Sequence, residues 1–131
     1  MMRGMIESVM AQETYVLAKK MLDAAALRHE LIATNLANAE TPGFKRLDLD
    51  PEFSLQLEAL MQKGNLSAAR NLEIKSLEDS AAKVSRPDGN NVELDRELLE
   101  MNRNALEYDF LAEYASNSIK RLKTAITGRV I

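Results

Sequence analysis

Apolar residues in the last third of the chain recur in alternating steps of three and four, which is the spacing of a coiled-coil seam. The pattern predicts one helix from Asp95, its expected N-cap residue, to Thr127. At about 1.5 Å per residue this helix would be some 50 Å long, too long for a protein of this size to surround. We therefore expect it to pair with a second helix through a seam formed by Leu98, Met101, Ala105, Tyr108, Ala112, Ala115, Ile119 and Leu122.

A second set of apolar residues lies on the same predicted helix, more than a third of a turn away from the seam. One flank of the helix can pack within the chain, which leaves the other flank free to meet a different molecule. We expect this second flank to be a contact between subunits of a helical assembly. Its residues are Leu99, Leu106, Phe110 and Tyr114.

The beginning of the chain predicts another long amphipathic helix, from about Met5 to Ala39. Its apolar face repeats every seven residues and therefore needs a partner along its whole length. We expect the first and last helices to pack together. The repeating positions are Met10, Leu17, Ala24 and Leu31.

Between the two long helices the apolar pattern weakens. Pro51 to Gln62 predicts a short helix with proline in its first turn. Residues 67–85 are polar and rich in Ala, so we expect marginal or conditional order there. Arg86 to Gly89 predicts a turn that leads into the last helix.

These elements predict a mainly α fold made of three segments. Residues 1–43 form a helix and turn, residues 44–91 a short and partly flexible middle segment, and residues 92–131 the heptad helix. The long terminal helices are expected to pair as a coiled-coil-like hairpin or bundle, giving one structural unit.

A proline and a glycine predict how the first helix ends. Pro42 pushes the residue before it out of the helical region, and Pro42-Gly43 suits the central positions of a type II turn. Two asparagines, Asn35 and Asn38, lie on the apolar face just before this turn, where an unpaired amide would be costly. We expect them to bond backbone carbonyls at the helix end or a neighbouring chain, with local capping favoured over any ligand contact. The predicted turn motif comprises Asn35, Asn38, Thr41, Pro42, Gly43, Phe44 and Lys45.

Composition excludes several classes of function. The net charge of -3 predicts no general attraction for nucleic acid, and the absence of Cys excludes disulfides and thiol chemistry. The single histidine, His29, lacks the partner that a zinc-binding helix motif requires. No catalytic motif occurs, so we expect no enzyme activity, no cofactor and no metal. No segment has the roughly 20 apolar residues of a transmembrane helix, and the N-terminus does not read as a cleavable signal peptide.

Two separated segments carry a resemblance to a known family. Ala37 to Lys45 reads A-N-A-E-T-P-G-F-K, and Asp88 to Glu97 reads D-G-N-N-V-E-L-D-R-E. Both segments resemble the signatures of the flagellar basal-body rod proteins, the first also being similar to those of hook and hook-associated proteins. The resemblance covers the start and the end of the chain and leaves the middle unmatched. The order and separation of the two motifs and the short chain point to one proximal rod subunit of this family, with a closely similar proximal rod subunit as the nearest alternative.

The resemblance implies a structural subunit of the proximal rod, which polymerises through its terminal helices into a torque-transmitting shaft. It implies export by the flagellar type III apparatus and a place in the basal body, spanning the periplasm. Its partners would be other rod subunits, copies of itself and basal-body or export-gate components. It also implies terminal helices that are poorly ordered before assembly. The alternative is a cytoplasmic coiled-coil adaptor or export chaperone, which would share the heptads but has no use for the turn motif.

Overall fold

The computed structural model describes residues 2–84 and 86–128. Its two longest helices form an antiparallel hairpin. Helix α1 spans Met2–Ala37 and helix α4 spans Leu94–Thr127. The side-chain Nδ2 of Asn104 donates to the carbonyl oxygen of Ala25 at 2.9 Å in the middle of the pair. The predicted mainly α fold with paired terminal helices is thereby confirmed.

Helix α1 uses small residues where it faces α4. These residues follow one another every seven positions, and Gly4 lies close to the carbonyl oxygen of Ala125 near the end of α4. Because small side chains let two helix backbones approach closely, this line suits a tight pair of straight helices. It consists of Gly4, Ala11, Ala18 and Ala25, of which the three alanines are buried.

A second face of α1 packs against the middle of the chain. The middle segment contributes strand β1 (Leu47–Leu49), helix α2 (Glu52–Gln62), helix α3 (Leu66–Asn71) and strand β2 (Ser76–Glu78). The strands pair antiparallel, with Leu47 opposite Glu78 and Leu49 opposite Ser76. The resulting core contains Val16, Ala24, Leu31, Leu49, Phe53, Leu57 and Ala69.

The sequence pattern predicted one element of the middle segment, helix α2. It did not predict the other three elements. Helix α2 was predicted over Pro51 to Gln62 and spans Glu52–Gln62, so Pro51 stands at the N-cap, just before the first turn in which it was expected. Helix α3 begins after Asn65, whose side-chain Oδ1 accepts from the Ala68 amide at 3.1 Å. The sequence pattern predicted neither α3 nor the two strands, because each is too short for its own periodicity to be visible.

Helix α4 turns a different line toward α1 from the one predicted. The buried residues are Glu97, Asn104, Leu111, Ala115 and Ser118. Among the predicted seam residues, Ala115 is buried and Met101 and Leu122 are half-buried, whereas the remaining five are exposed. Each of these five stands beside the buried line: Leu98, Ala105, Tyr108, Ala112 and Ile119. The pattern failed because three of the buried positions are polar.

The start of α4 also differs from the prediction. Glu93, not Asp95, occupies the N-cap, in an extended conformation and without a side-chain cap hydrogen bond. Asp95 instead lies within the first turn, where a carboxylate still favours the positive end of the helix dipole. Within residues 2–84 and 86–128, no helix combines the length and the apolar character needed to cross a bilayer. The last residues of the predicted 92–131 segment, 129–131, lie outside the described part of the chain.

Candidate functional site

The turn after α1 has the geometry that its proline and glycine require. The amide of Phe44 donates to the carbonyl oxygen of Thr41 at 3.2 Å, which closes a four-residue turn around Pro42 and Gly43. Gly43 has a φ of 75°, the positive value that the third position of a type II turn demands. The chain therefore reverses immediately after α1 and sends Lys45 and the following strand back along the hairpin.

Asn38 caps the helix end locally. Its side-chain Nδ2 donates to the carbonyl oxygen of Thr34 at 2.8 Å, and its Oδ1 accepts from the hydroxyl of Thr41 at 3.1 Å. The amide of Thr41 in turn donates to the carbonyl oxygen of Asn38 at 3.0 Å. Asn38 thus holds the last helical turn and the following loop together.

Asn35 does not cap the helix but pairs with a strand. It is fully buried, and its amide exchanges two hydrogen bonds of 2.9 Å with the backbone of Leu47 in β1. This arrangement reproduces the paired N–H and C=O contacts of a neighbouring β-strand. Its Nδ2 also lies 3.4 Å from a carboxylate oxygen of Glu97. Asn35 therefore connects α1 to both the strand and the start of α4.

Asn90, which lies about 50 residues farther along the chain, completes the cap of α1. Its Nδ2 reaches three carbonyl oxygens, those of Asn38, Ala39 and Thr41, at 2.9, 3.1 and 2.9 Å. Its Oδ1 accepts from the amide of Val92 at 2.8 Å. Helix ends leave carbonyls without partners, and one buried side chain supplies them here. Sequence reasoning noted the D-G-N segment but assigned no role to this asparagine.

The two sequence motifs contact each other along several residues. The amide of Gly43 donates to the carbonyl oxygen of Asp88 at 2.8 Å, and the Lys45 Nζ donates to the carbonyl oxygen of Gly89. The backbone amide of Arg46 donates to the Asn91 Oδ1 at 2.6 Å. Segments 45 residues apart in the sequence thus form one junction, which sets the angle at which the chain enters α4.

A buried arginine lies at the centre of this junction. Arg46 is 3% exposed and Glu97 is fully buried, and the Arg46 Nε donates to the Glu97 carboxylate. The Arg46 Nη1 donates to Asp48 at 3.0 Å and to Asp79 at 2.9 Å. Burial alone would lower the pKa of Arg46, but hydrogen bonds to Glu97 and Asp48 outweigh it and raise the pKa above its ordinary value.

This ion network joins β1, the end of β2 and α4. Without Arg46, the Glu97 carboxylate would be left buried and unpaired, which is among the costlier changes a protein core can suffer. Sequence reasoning placed Glu97 near the helix dipole and missed its partner, because a single arginine and a distant glutamate carry no recognisable spacing. The junction is thus a rigid structural connection built from the two motifs.

The residues predicted as a subunit contact lie together on the outer surface. Leu99, Leu106, Phe110 and Tyr114 are between 44% and 72% exposed. The rings of Phe110 and Tyr114 stack with centroids 6.0 Å apart and an angle of 22° between their planes. The exposed seam residues, such as Leu98 and Ile119, lie on the other side of the buried line. Helix α4 therefore shows apolar side chains on both of its outer flanks.

Nothing in the described ranges 2–84 and 86–128 brings three or more His, Cys, Asp or Glu side chains into an arrangement suited to a metal ion. His29 is exposed on α1. What the geometry provides is a long helical hairpin, closed at one end by a buried polar junction and apolar along its outer flanks. Those features are typical of the class of helical structural proteins that associate through their long helices.

Comparison with known proteins identifies the family within this class. No family model matches the chain. It is 32% identical to the flagellar basal body rod protein FlgB of Yersinia ruckeri, covering 80% of this chain and 87% of that protein. It is also 32% identical to FlgB of Aquifex aeolicus, with 86% and 92% covered, and 29% identical to FlgB of Escherichia coli K12, with 80% and 86% covered. The chain belongs to the FlgB family of flagellar basal body rod proteins, which confirms the resemblance carried by its two motifs.

Proposed function

We propose that this protein is a structural subunit of the flagellar basal body rod and that it acts by self-assembly, without catalysis. Membership of the FlgB family supports the rod over a cytoplasmic adaptor or export chaperone. Within the rod we place it in the proximal part, where its copies form a shaft that transmits torque. We propose that the junction of the two motifs fixes the hairpin so that every copy presents the same outer surface.

The proposal extends to partners and location. Other rod subunits are the expected neighbours, together with copies of the same chain and basal-body or export-gate components at the base of the rod. We propose that the protein spans the periplasm within the basal body, after type III export without a cleavable signal. Nucleic acid is not among the expected partners, since the net charge is -3.

The observation that carries the proposal is the apolar outer flank of α4. Burying a fully exposed large side chain contributes about 1.5–3 kcal/mol, so covering these four partly exposed side chains favours association. A contact between this flank of one copy and a different surface of the next copy is heterologous, because the two copies contribute different surfaces. Heterologous contacts repeat without closing when the rotation between copies allows it, which builds a helical polymer.

The test replaces the stacked ring pair by charges. Phe110→Lys/Tyr114→Lys is expected to abolish recovery of the protein with isolated basal bodies and to abolish motility in cells that lack the native copy. The monomer should keep its helical circular dichroism spectrum, because both side chains are exposed.

The matched control is Asn102→Lys/Ser116→Lys, which adds the same two charges at exposed polar positions of α4. It is expected to assemble normally. Unfolding of the Phe110→Lys/Tyr114→Lys monomer would show that the ring pair belongs to an internal core, and normal incorporation of that variant would contradict the proposed contact.

A further inference from the structure

A groove of about 560 Å³ runs along the hairpin between α2 and α4. Leu17 and Met21 of α1 form part of its floor, and Phe53, Leu57 and Met61 of α2 form one wall. The opposite edge is marked by Glu107 of α4. The groove is therefore an apolar channel whose length follows the axes of the helices, a shape that fits the apolar face of another helix.

The rim of the groove is acidic. Glu13, Glu58 and Glu107 all line it, against one basic residue, Arg28. Arg28 is already engaged, with its Nη1 3.7 Å from Glu107 and its Nε 4.0 Å from Asp48. Glu13 and Glu58 have no ion-pair partner within residues 2–84 and 86–128. A ligand for this groove should therefore combine an apolar face with flanking positive charges.

The groove is continuous with the proposed subunit contact. Phe110 and Tyr114 follow Glu107 by three and seven residues, so all three lie on the same side of α4. The exposed ring pair therefore extends the α4 edge of the groove. One continuous surface results, made of the α1 floor, the α2 wall and the two rings.

A helix of the required chemistry occurs at the end of α4. Ile119, Lys123 and Ile126 share one face, at the i, i+4, i+7 spacing, and the two isoleucines are 37% and 71% exposed. Lys120 adds positive charge beside this face, and Arg121 adds a further positive charge on the opposite side of the helix. None of these three basic residues forms an ion pair within the described residues. We call residues 119–126 the basic end of α4.

The basic end of α4 cannot reach the groove of its own chain. Its Lys120, Arg121 and Thr124 lie beside Glu7 and Met10 near the start of α1. The groove begins at Glu13 and continues to Arg28 along the same helix. Since α4 is one continuous helix, Leu94–Thr127, that packs against α1, its end would have to break that pairing to fold back.

We propose that the groove binds the basic end of α4 from a second copy of this protein. The inference rests on the proposed function, because it specifies which surfaces meet when rod subunits associate. Isoleucines of one copy bury against the α1 and α2 apolar residues of the next, and lysines face the unpaired Glu13 and Glu58. Since the two surfaces lie at different places on the molecule, each copy keeps one of them open and the contact repeats along a polymer.

Disulfide crosslinking tests the contact directly, because the native chain contains no Cys. A Glu58→Cys copy and a Lys123→Cys copy are mixed at a concentration where the protein associates, then oxidised, and the joined peptides are identified by mass spectrometry. The expected result is a mixed disulfide between positions 58 and 123 that exceeds the product of an Asn102→Cys control with Lys123→Cys by about tenfold. Equal yields from the two mixtures would overturn the proposal.

Charge reversal supplies an independent readout. Glu13→Lys/Glu58→Lys and Lys120→Glu/Lys123→Glu should each weaken self-association by about tenfold in analytical ultracentrifugation. Mixing the two variants should restore it, because each mixed contact again joins opposite charges. Failure of the mixture to associate would contradict the proposed pairing.

The same variants separate this inference from the proposed function. If both reversed variants enter isolated basal bodies and self-associate as the unmodified protein does, the groove contact is wrong while the rod function stands. If Glu58→Cys crosslinks in basal bodies to a different rod protein and not to this chain, the choice of a second copy is wrong. Absence of the unmodified protein from basal bodies would instead contradict the proposed function.

Discussion

Four asparagines join the two sequence motifs at the closed end of the hairpin. An asparagine side chain carries both a donor and an acceptor, so it can replace the backbone partners that a helix end or a strand edge lacks. Asn35 and Asn38 were predictable as residues that need partners, because amides are unfavourable on an apolar helix face. The partners of Asn35 could not be predicted, since Leu47 and Glu97 come within reach only after the turn and α4 have folded. Asn90 and Asn91 gave no signal beyond their place in a recognisable motif.

Asn90→Ala is expected to destabilise the monomer. Removing its Nδ2 leaves the carbonyls of Asn38, Ala39 and Thr41 short of a buried donor, at a cost of about 1–3 kcal/mol in the free energy of unfolding. Urea denaturation followed by circular dichroism measures the change. Asn102→Ala, at an exposed position of α4, is the matched control and should be neutral or slightly stabilising. An equal effect of both substitutions would show that the triple contact contributes little.

Asp88 is expected to make stability depend on pH. The backbone amide of Asn90 and the Arg86 side chain favour the ionised carboxylate and lower the pKa of Asp88 below its ordinary value. Since the folded pKa is lower than the unfolded one, the carboxylate stabilises the fold above the unfolded pKa, and this contribution is lost as the pH falls through the folded pKa.

The substitution that tests this prediction is Asp88→Asn. Its effect on the free energy of unfolding should be present at pH 7 and should disappear once the pH lies below the folded pKa. Asp109→Asn, on exposed α4 surface, is the control and should show no such convergence. A constant difference between Asp88→Asn and the unmodified protein at every pH would contradict the assignment.

The long helices lie where the apolar pattern predicts them. The sides of these helices that are buried against each other differ from the predicted ones. Within the predicted α1 stripe, Met10 is exposed, whereas Leu17, Ala24 and Leu31 do pack. The partners of these three residues are α2, α3 and β1 and not α4. The contact with α4 uses the neighbouring line of small residues, which hydrophobicity alone does not single out. In α4, Glu97 takes a core position because Arg46 pairs with it there. Asn104 takes another, where its Nδ2 donates to the Ala25 carbonyl while its Oδ1 has no hydrogen-bond partner within the described residues. A pattern that counts only apolar residues cannot anticipate buried polar pairs.

The close approach of α1 and α4 predicts that a larger side chain between the two helices lowers the stability of the fold. Ala18→Leu is expected to force the two helices apart and to lower the free energy of unfolding by about 1–3 kcal/mol. Ala26→Leu, on the exposed side of α1, makes the same chemical change and should stay within about 0.5 kcal/mol of the unmodified protein. Thermal unfolding of both variants measures the difference. A larger effect at Ala26 than at Ala18 would show that the helices meet through another line.

At the scale of the whole molecule, the hairpin is closed at one end and open at the other. The polar junction ties the end of α1 to the start of α4, for example through Asn35 and Glu97, whereas the opposite end exposes a continuous apolar stripe at the start of α1. This stripe continues the face that α2 and α3 cover farther along the helix. Its residues, each more than half exposed, are Met2, Met5, Ile6 and Val9.

The open end predicts that helicity depends on association. Apolar helix surface without cover gives little support to a helix in water, so dilution should melt the ends of α1 and α4 first. Circular dichroism at 222 nm across protein concentration measures this, and the signal per residue should rise as copies associate. In Phe110→Lys/Tyr114→Lys the rise should be absent. A dilute monomer with full helicity and no tendency to associate would contradict the prediction.

The sequence by itself determined where the long helices lie, where α1 stops and that α4 carries more apolar surface than one hairpin can bury. Those properties are local, because they follow from residue spacing, from proline and glycine, and from the count of apolar side chains. Tertiary structure alone decided which line of each helix is buried and how the two motifs meet. That choice depends on buried polar pairs such as Arg46 with Glu97, whose members lie far apart in the sequence and become favourable only when folding brings both out of water together.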